Sequence, residues 1–137
     1  MPTLEEMNAR LPGTLPGYIG IEIVKIAGRH VDARLMIRPE LLAPNGFLHA
    51  ATVVALADTA CGFGAVANLP DGARGFTTIE LKTNFLGTAH EGMITCVATL
   101  LHGGRTTQVW DAAVKSPNGK IMALFRCTQM ILYPRVE

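Results

Sequence analysis

The sequence is poor in the residue types that build several common kinds of functional site. Charged residues make up 17% of its 137 residues, and the formal net charge is +1. This balance predicts no surface for nucleic acid or for an anionic membrane. The three cysteines are odd in number and widely spaced, which favours reduced packing residues over disulfides or a zinc site. A P-loop, a dinucleotide fingerprint and a serine-centred elbow are missing too, so we expect neither a metal nor a cofactor.

A secretory signal is also missing from the N-terminus. Residues 1–6 are acidic and contain no apolar stretch, which together with the cysteine pattern predicts a cytoplasmic protein. Apolar residues, in contrast, are in excess: hydrophobic residues make up 49% of the chain and the mean hydropathy is +0.29. We expect residues 1–137 to form one domain, and the excess predicts apolar surface shared with another copy of the chain.

The longest apolar run, residues 50–69, contains a single ionisable side chain that carries charge at neutral pH, Asp58. The run is nearly long enough to span a membrane, but its acid and its many small residues favour a buried central helix. A carboxylate among apolar side chains is costly unless something pairs with it or uses it. Residues one turn away offer no basic partner, so we expect Asp58 to be functional. Its pKa should be raised unless hydrogen bonds hold the anion, and it is suited to activating water or attacking a carbonyl.

The rest of the chain alternates in the manner of strands. Thr3 can cap a first helix over residues 3–11, with Glu6 three residues later. Strands are predicted over 18–27, 31–38, 76–86, 93–101, 106–115 and 120–132, and the apolar helix lies between the second and third of them. We therefore predict an α+β fold, in which the long helix lies in the concave side of a curled antiparallel sheet of about six strands.

The start of the apolar helix is polar. His49 either caps the helix or takes part in chemistry, and the backbone N–H groups of Ala50 and Ala51 can stabilise a developing oxyanion. Asn45 could orient a water or a carbonyl, although the Pro-Asn-Gly sequence around it is also an ordinary turn.

His49 and Asp58 are nine residues apart, hence about 13 Å along a helix axis and half a turn out of phase. They cannot act together within one chain. Two such helices running antiparallel across a two-fold axis would bring them together, so the spacing favours a composite site in a dimer, provided that both residues belong to it.

Other positions have a functional and a structural interpretation. Cys61, one turn after Asp58, could line the same pocket, although packing is the favoured role because no base lies near it. Gly62 and Gly64 are expected to let the helix approach the sheet. Arg105 and Lys120 lie beside tight turns and could contact phosphates, although solvated turn charges are the more common case.

Through His49-Ala50-Ala51 and Leu56-Ala57-Asp58-Thr59-Ala60, the chain resembles the hotdog-fold acyl-CoA thioesterases of the phenylacetate-degradation (PaaI-like) type. The motif of that family is His-Gly-Gly with an acid nine residues after the His, which is Asp58 here. The resemblance implies a hotdog fold and hydrolysis of an acyl-CoA thioester at a dimer interface, usually in a tetramer of two dimers, with coenzyme A present only as part of substrate or product. The acid of one subunit would be base or nucleophile, and the amide of Ala50 from the other would polarise the carbonyl.

The chain departs from the family pattern at the supporting positions. Both glycines after the His are alanines, although Ala50 retains the N–H that the first of them contributes. The Asn or Gln of the family commonly lies six residues before the His, where this chain has Ala43, and Asn45 lies two residues closer. The hydroxyl that many members carry four residues after the acid is replaced by Gly62, and Thr88 follows Gly87 where another group of members has Ser.

These observations predict a thioester hydrolase with Asp58, His49, Ala50 and Asn45 as catalytic residues. The candidate substrate-binding residues are Gly46, Ala51, Cys61, Gly62, Thr88, Arg105 and Lys120. Two alternatives stay open, a hotdog enoyl-CoA hydratase or dehydratase and a non-catalytic binder of acyl-CoA or another hydrophobic ligand. The acyl group, the choice between an anhydride and a general-base mechanism, and the arrangement of a tetramer stay open as well.

Overall fold

Six strands form one antiparallel sheet that curls around a long helix. The structure is a computed structural model, and it describes residues 2–135. The elements are α1 (Leu4–Ala9), α2 (Leu15–Ile19), β1 (Glu22–Ala27), β2 (His30–Met36), a 3-10 turn (Pro39–Leu41), α3 (Ala50–Ala67), β3 (Gly75–Phe85), β4 (Met93–Gly103), β5 (Thr107–Lys115) and β6 (Ile121–Leu132). The strand order is β1-β2-β4-β5-β6-β3, with every neighbouring pair antiparallel. The predicted α+β architecture is confirmed.

The alternation of the sequence decides which face of the sheet meets the helix. In β2, Val31, Ala33 and Leu35 are buried, whereas Arg34 is exposed on the outer face. Strands β4, β5 and β6 alternate in the same way, and the fully buried Trp110 of β5 lies beneath α3. One concave face of the sheet therefore supplies the core.

Helix α3 fits this face because much of its surface is small. A Cβ atom on Gly64 would lie 2.7 Å from Cζ3 and 2.8 Å from Cζ2 of Trp110, so only glycine allows the helix this close to β5. Asn68 ends the helix, and its side-chain amide donates to the carbonyls of Gly64 and Gly28 at 2.9 and 3.0 Å. Among the described residues α3 is the one helix long and apolar enough to cross a bilayer, and it packs here as the core helix of the sheet.

The predicted strand over 18–27 begins later than expected. Residues 15–19 form α2, with Pro16 in its first turn and Gly20, at φ 98°, ending it in a left-handed conformation that glycine adopts freely. The Arg38 guanidinium donates to the carbonyls of Tyr18 and Ile19 at this helix end. Strand β1 then starts at Glu22.

The two edges of the sheet differ. Edge strand β1 has six residues and a bulge, and the Asn8 side chain of α1 bonds the N–H and C=O of Ile23 at 2.9 and 2.8 Å. Edge strand β3 has eleven residues and pairs on one side only, with β6. Leu81 and Phe85 lie opposite buried residues of β6, yet they are 44% and 48% exposed. Helix α3 therefore leaves the later part of β3 uncovered on the concave side.

Candidate active site

Asp58 lies in the middle of α3 and is half-buried. Its Oδ1 atom is buried and accepts no hydrogen bond from any residue between 2 and 135. Burial raises the pKa of the Asp58 carboxyl above its usual value of 3.8. A carboxylate in this state is a stronger base than one in water, and it keeps a lone pair free for a ligand.

Asp58 opens into a groove of about 330 Å³. One wall is α3, a second is the start of β3, and the third is the N-terminal segment of residues 10–16. The groove is lined by Arg10, Leu11, Thr14, Pro16, Asp58, Thr59, Gly62, Phe63, Val66, Phe76 and Thr78. Gly62, predicted to bind substrate, is one of these lining residues, and a Cβ added to it would be 3.3 Å from Cζ of Phe76. No local pattern in the sequence indicates the N-terminal wall, because α1 and α2 bring it there through tertiary contacts.

The start of α3 leaves one backbone donor free. The Nδ1 atom of His49 accepts the N–H of Ala51 at 2.9 Å, so His49 is the N-cap of the helix. The N–H of Ala50 has no acceptor among the described residues, and Ala50 is exposed. Of the two amides predicted to hold an oxyanion, only that of Ala50 stays available. In the tautomer that this cap requires, the neutral His49 ring carries its proton on Nε2.

The loop before α3 is held by a histidine that the sequence did not point to. Asn45 Oδ1 accepts the N–H of Phe47 at 3.1 Å, closing a turn in which Gly46 has φ 87°. Nδ1 of His90 lies 3.1 Å from the Gly46 carbonyl, and its ring lies 4.3 Å from that of Phe47, centroid to centroid. Asn45 and Gly46 therefore stand with His49 at the N-terminal end of α3.

This polar end and the groove are separate in one chain. Ala50 and Asp58 are eight residues apart on the same helix, which is about 12 Å along its axis. Thr88, which is exposed, belongs to the polar end, because the carbonyl of its neighbour Ala89 accepts the N–H of Leu48 at 3.0 Å.

Cys61 is fully buried in the core and does not line the groove. A hydrogen bond with the Cys127 side chain, followed by burial, raises the pKa of the Cys61 thiol well above its usual value. A protonated, enclosed thiol is a poor nucleophile, so packing is the role that its surroundings favour.

Arg105 and Lys120 lie outside the groove. Arg105 borders a shallow depression with Asn68, at the C-terminal end of α3, and its carbonyl accepts the Tyr133 hydroxyl. Lys120 is in the β5–β6 turn, where its N–H donates to Asn118 Oδ1 at 3.1 Å. Within residues 2–135, no three His, Cys, Asp or Glu side chains gather as a metal-ligand set.

A curled antiparallel sheet wrapped around one central helix is the architecture of the hotdog fold. Residues 45–123, more than half of the chain, match the model of the Thioesterase superfamily. A 1,4-dihydroxy-2-naphthoyl-CoA hydrolase from Listeria monocytogenes is 31% identical over 80% of this chain and 89% of its own length. The chain therefore belongs to the thioesterase superfamily.

Two solved structures support the same fold. A thioesterase from Haemophilus influenzae superimposes with a TM-score of 0.91 at 26% identity, over 97% of this chain and 92% of the other. A mutant form of a thioesterase from Pseudomonas aeruginosa gives 0.91 at 26%, over 96% and 95%. The hotdog fold predicted from the sequence is confirmed, and so is the recognition of a hotdog thioesterase. The narrower resemblance to the phenylacetate-degradation type stays a prediction.

Proposed function

We propose that this protein hydrolyses acyl-CoA thioesters with Asp58 as the general base or the nucleophile. The observation that carries the proposal is the buried, unbonded Oδ1 of Asp58, a residue that lines a largely apolar groove. Leaving such an oxygen without a donor costs stability, and a role in catalysis accounts for it.

Asp58 can act by two mechanisms that give the same products, the free acid and coenzyme A. As a base, Asp58 takes a proton from water while the water oxygen attacks the thioester carbon. As a nucleophile, it attacks that carbon itself and forms an anhydride, which water then hydrolyses. In both routes the C–S bond breaks and coenzyme A leaves as the thiolate, while an N–H donor stabilises the oxyanion. Asn45 and the Nε2–H of His49 orient the thioester or the water in this proposal.

The oxyanion donor comes from a second subunit in this proposal. The free amide of Ala50 is too far along α3 to serve Asp58 of its own chain, and antiparallel pairing of two α3 helices removes that distance. The uncovered part of β3 supports the same dimer, because a long edge strand with exposed Ile79, Leu81 and Phe85 needs a partner. Resemblance to the family extends this dimer to a dimer of dimers, and the three free cysteines fit the reducing cytoplasm.

The relatives narrow the substrate. Those from L. monocytogenes and Escherichia coli, the second 29% identical over 95% of both chains, are 1,4-dihydroxy-2-naphthoyl-CoA hydrolases. A flat aromatic acyl group also suits a groove with Phe63 and Phe76 in its walls. We therefore include 1,4-dihydroxy-2-naphthoyl-CoA among the substrates of this chain.

The test is a panel of aromatic and aliphatic acyl-CoA thioesters with detection of free thiol. We expect thiol release by the wild type and its loss in Asp58→Asn. Asp71→Asn, at an exposed acid in the turn after α3, is the matched control and should behave as the wild type. A changed acyl chain without free thiol would identify a hydratase instead, and binding without any reaction would identify a non-catalytic binder.

A further inference from the structure

We propose that the N-terminal segment of residues 10–16 is the acyl-binding wall of this site, and that Arg10 selects aromatic acyl groups with a hydroxyl or carboxylate on the ring. The inference rests on the proposed function, since the groove receives the acyl group only if Asp58 meets the thioester.

The lining of the groove identifies which part of a thioester it takes. Most of the groove surface that Asp58 shares is apolar, contributed by Leu11, Pro16, Phe63, Val66 and Phe76. The amides and phosphates of coenzyme A would lose hydration against such walls, whereas a hydrocarbon acyl group gains from them. The volume of about 330 Å³ lies at the small end of the ~300–1,000 Å³ of small-molecule sites, which fits one acyl group and not a whole cofactor.

Arg10 is the one cationic side chain that lines this groove in the described part of the chain. It makes no ion pair and no side-chain hydrogen bond within residues 2–135. Nor does it compensate Asp58, because the pKa of that carboxyl is raised by burial with no opposing cation. A guanidinium in this position has its N–H donors free for an oxygen of the ligand.

The wall that carries Arg10 is fixed to the rest of the fold. Fully buried Met7 anchors α1 in the core, and the Asn8 side chain holds α1 to β1 through two hydrogen bonds. Leu11, one residue after Arg10, is itself 5% exposed. Because the backbone of Arg10 is held between these contacts, the guanidinium reaches a limited region of the groove mouth. That restraint lets it discriminate between substituents on a ring.

The experiment compares kcat/KM of the wild type and Arg10→Gln on benzoyl-CoA and on 2-, 3- and 4-hydroxybenzoyl-CoA. We expect the preference for the best hydroxylated substrate over benzoyl-CoA to fall about ten- to a hundredfold, as for the loss of one charge-assisted hydrogen bond. Arg10→Lys, which keeps the charge, should retain part of the preference. Arg34→Gln, on the outer face where Arg34 pairs with Glu22, is the matched control and should leave the preference as it is.

Three outcomes would overturn the inference. An equal loss on every substrate would place Arg10 on the phosphates of coenzyme A, the other source of anionic oxygen. An unchanged preference in Arg10→Gln, with unfolding as in the wild type, would show that Arg10 meets no substituent. A wild type without preference for any hydroxylated ring would do the same. None of these three outcomes contradicts the proposed thioesterase function. That function is contradicted by a different result, continued release of thiol by Asp58→Asn.

Discussion

The two sides of helix α3 differ in burial and polarity, although both are built from the same eighteen residues. The side against the sheet, with Ala57, Cys61 and Gly64, is buried, and the one polar side chain among the buried residues of α3, Thr52, donates its hydroxyl to the Leu41 carbonyl. The side towards the groove has the half-buried Asp58 with an unbonded oxygen, and Gly62, which lines the groove beside Phe76. The side against the sheet stabilises the folded state. The side towards the groove contains a buried, unbonded carboxylate oxygen that lowers the free energy of unfolding, as is common for reactive sites.

Asp58→Asn tests most strongly whether the groove side of α3 serves activity and not stability. We expect thiol release to fall about 10²–10⁴-fold, because loss of a general base has that effect. The midpoint of thermal unfolding should stay the same or rise, since a neutral amide costs less to bury than a carboxylate. Calorimetry beside the thiol assay measures both. A variant that loses activity and stability together would show that Asp58 serves the fold.

Two glycine substitutions sharpen the comparison within one turn of helix. In Gly64→Ala the new methyl group would overlap the Trp110 ring, and overpacking of this kind costs ~1–3 kcal/mol. In Gly62→Ala the contact is 3.3 Å to Phe76, whose ring borders the groove and can move into it.

We therefore expect Gly64→Ala to lower the free energy of unfolding measured in urea. Its KM for aromatic thioesters should equal that of the wild type, because the molecules that stay folded have an unchanged groove. Gly62→Ala should keep its stability and raise KM for aromatic thioesters. The reverse assignment of the two effects would mean that the groove is not where substrate binds.

The cap of α3 gives a smaller effect. His49→Ala removes the acceptor for the Ala51 N–H, which should cost about 0.5–2 kcal/mol of stability. His49→Asn supplies another good N-cap acceptor and should recover most of that loss. If thiol release recovers with it, the cap is the role of His49, and if only stability recovers, Nε2–H also contacts the substrate.

The pH dependence is the mildest test. Burial raises the pKa of Asp58 in the folded state above the value of 3.8 that it has in the unfolded chain. The stability associated with the protonated carboxyl is therefore fully present below pH 3.8 and is lost as pH rises through the pKa of the folded state. Relative to Asp58→Asn, the wild type should lose unfolding free energy across that window. Its kcat/KM should rise over the same window, because the anion is the active form. Parallel stability curves for the two proteins would contradict the shift.

The sequence was informative wherever one physical pattern dominated. Period-two alternation located the strands, and one acid in an apolar run located Asp58. It failed at α2 because Ile19, Ile21 and Ile23 mimic a strand, although Ile19 belongs to the helix that Gly20 ends.

The third wall of the groove could not be predicted, because contacts between distant segments bring Arg10 to α3. The residues alone did not separate the amides of Ala50 and Ala51, and only the family resemblance favoured Ala50. The structure adds that His49 accepts the N–H of Ala51, which leaves the N–H of Ala50 free.

Whether one site is built from two chains can be measured by complementation between Ala50→Pro and Asp58→Asn. Ala50 is the first residue of α3, where proline is tolerated, and His49, at φ −67° and ψ 137°, already has the extended backbone that precedes proline. Ala50→Pro therefore removes the free N–H while the helix keeps its start. Each variant alone should be inactive.

A hybrid dimer of the two, purified by separate tags, has one site with both changes and one with neither. We predict that it regains about half the thiol release of a wild-type dimer, as one of its two sites is intact. A hybrid as inactive as its parents would show that the acid and the amide act within one chain, and the composite site would be wrong.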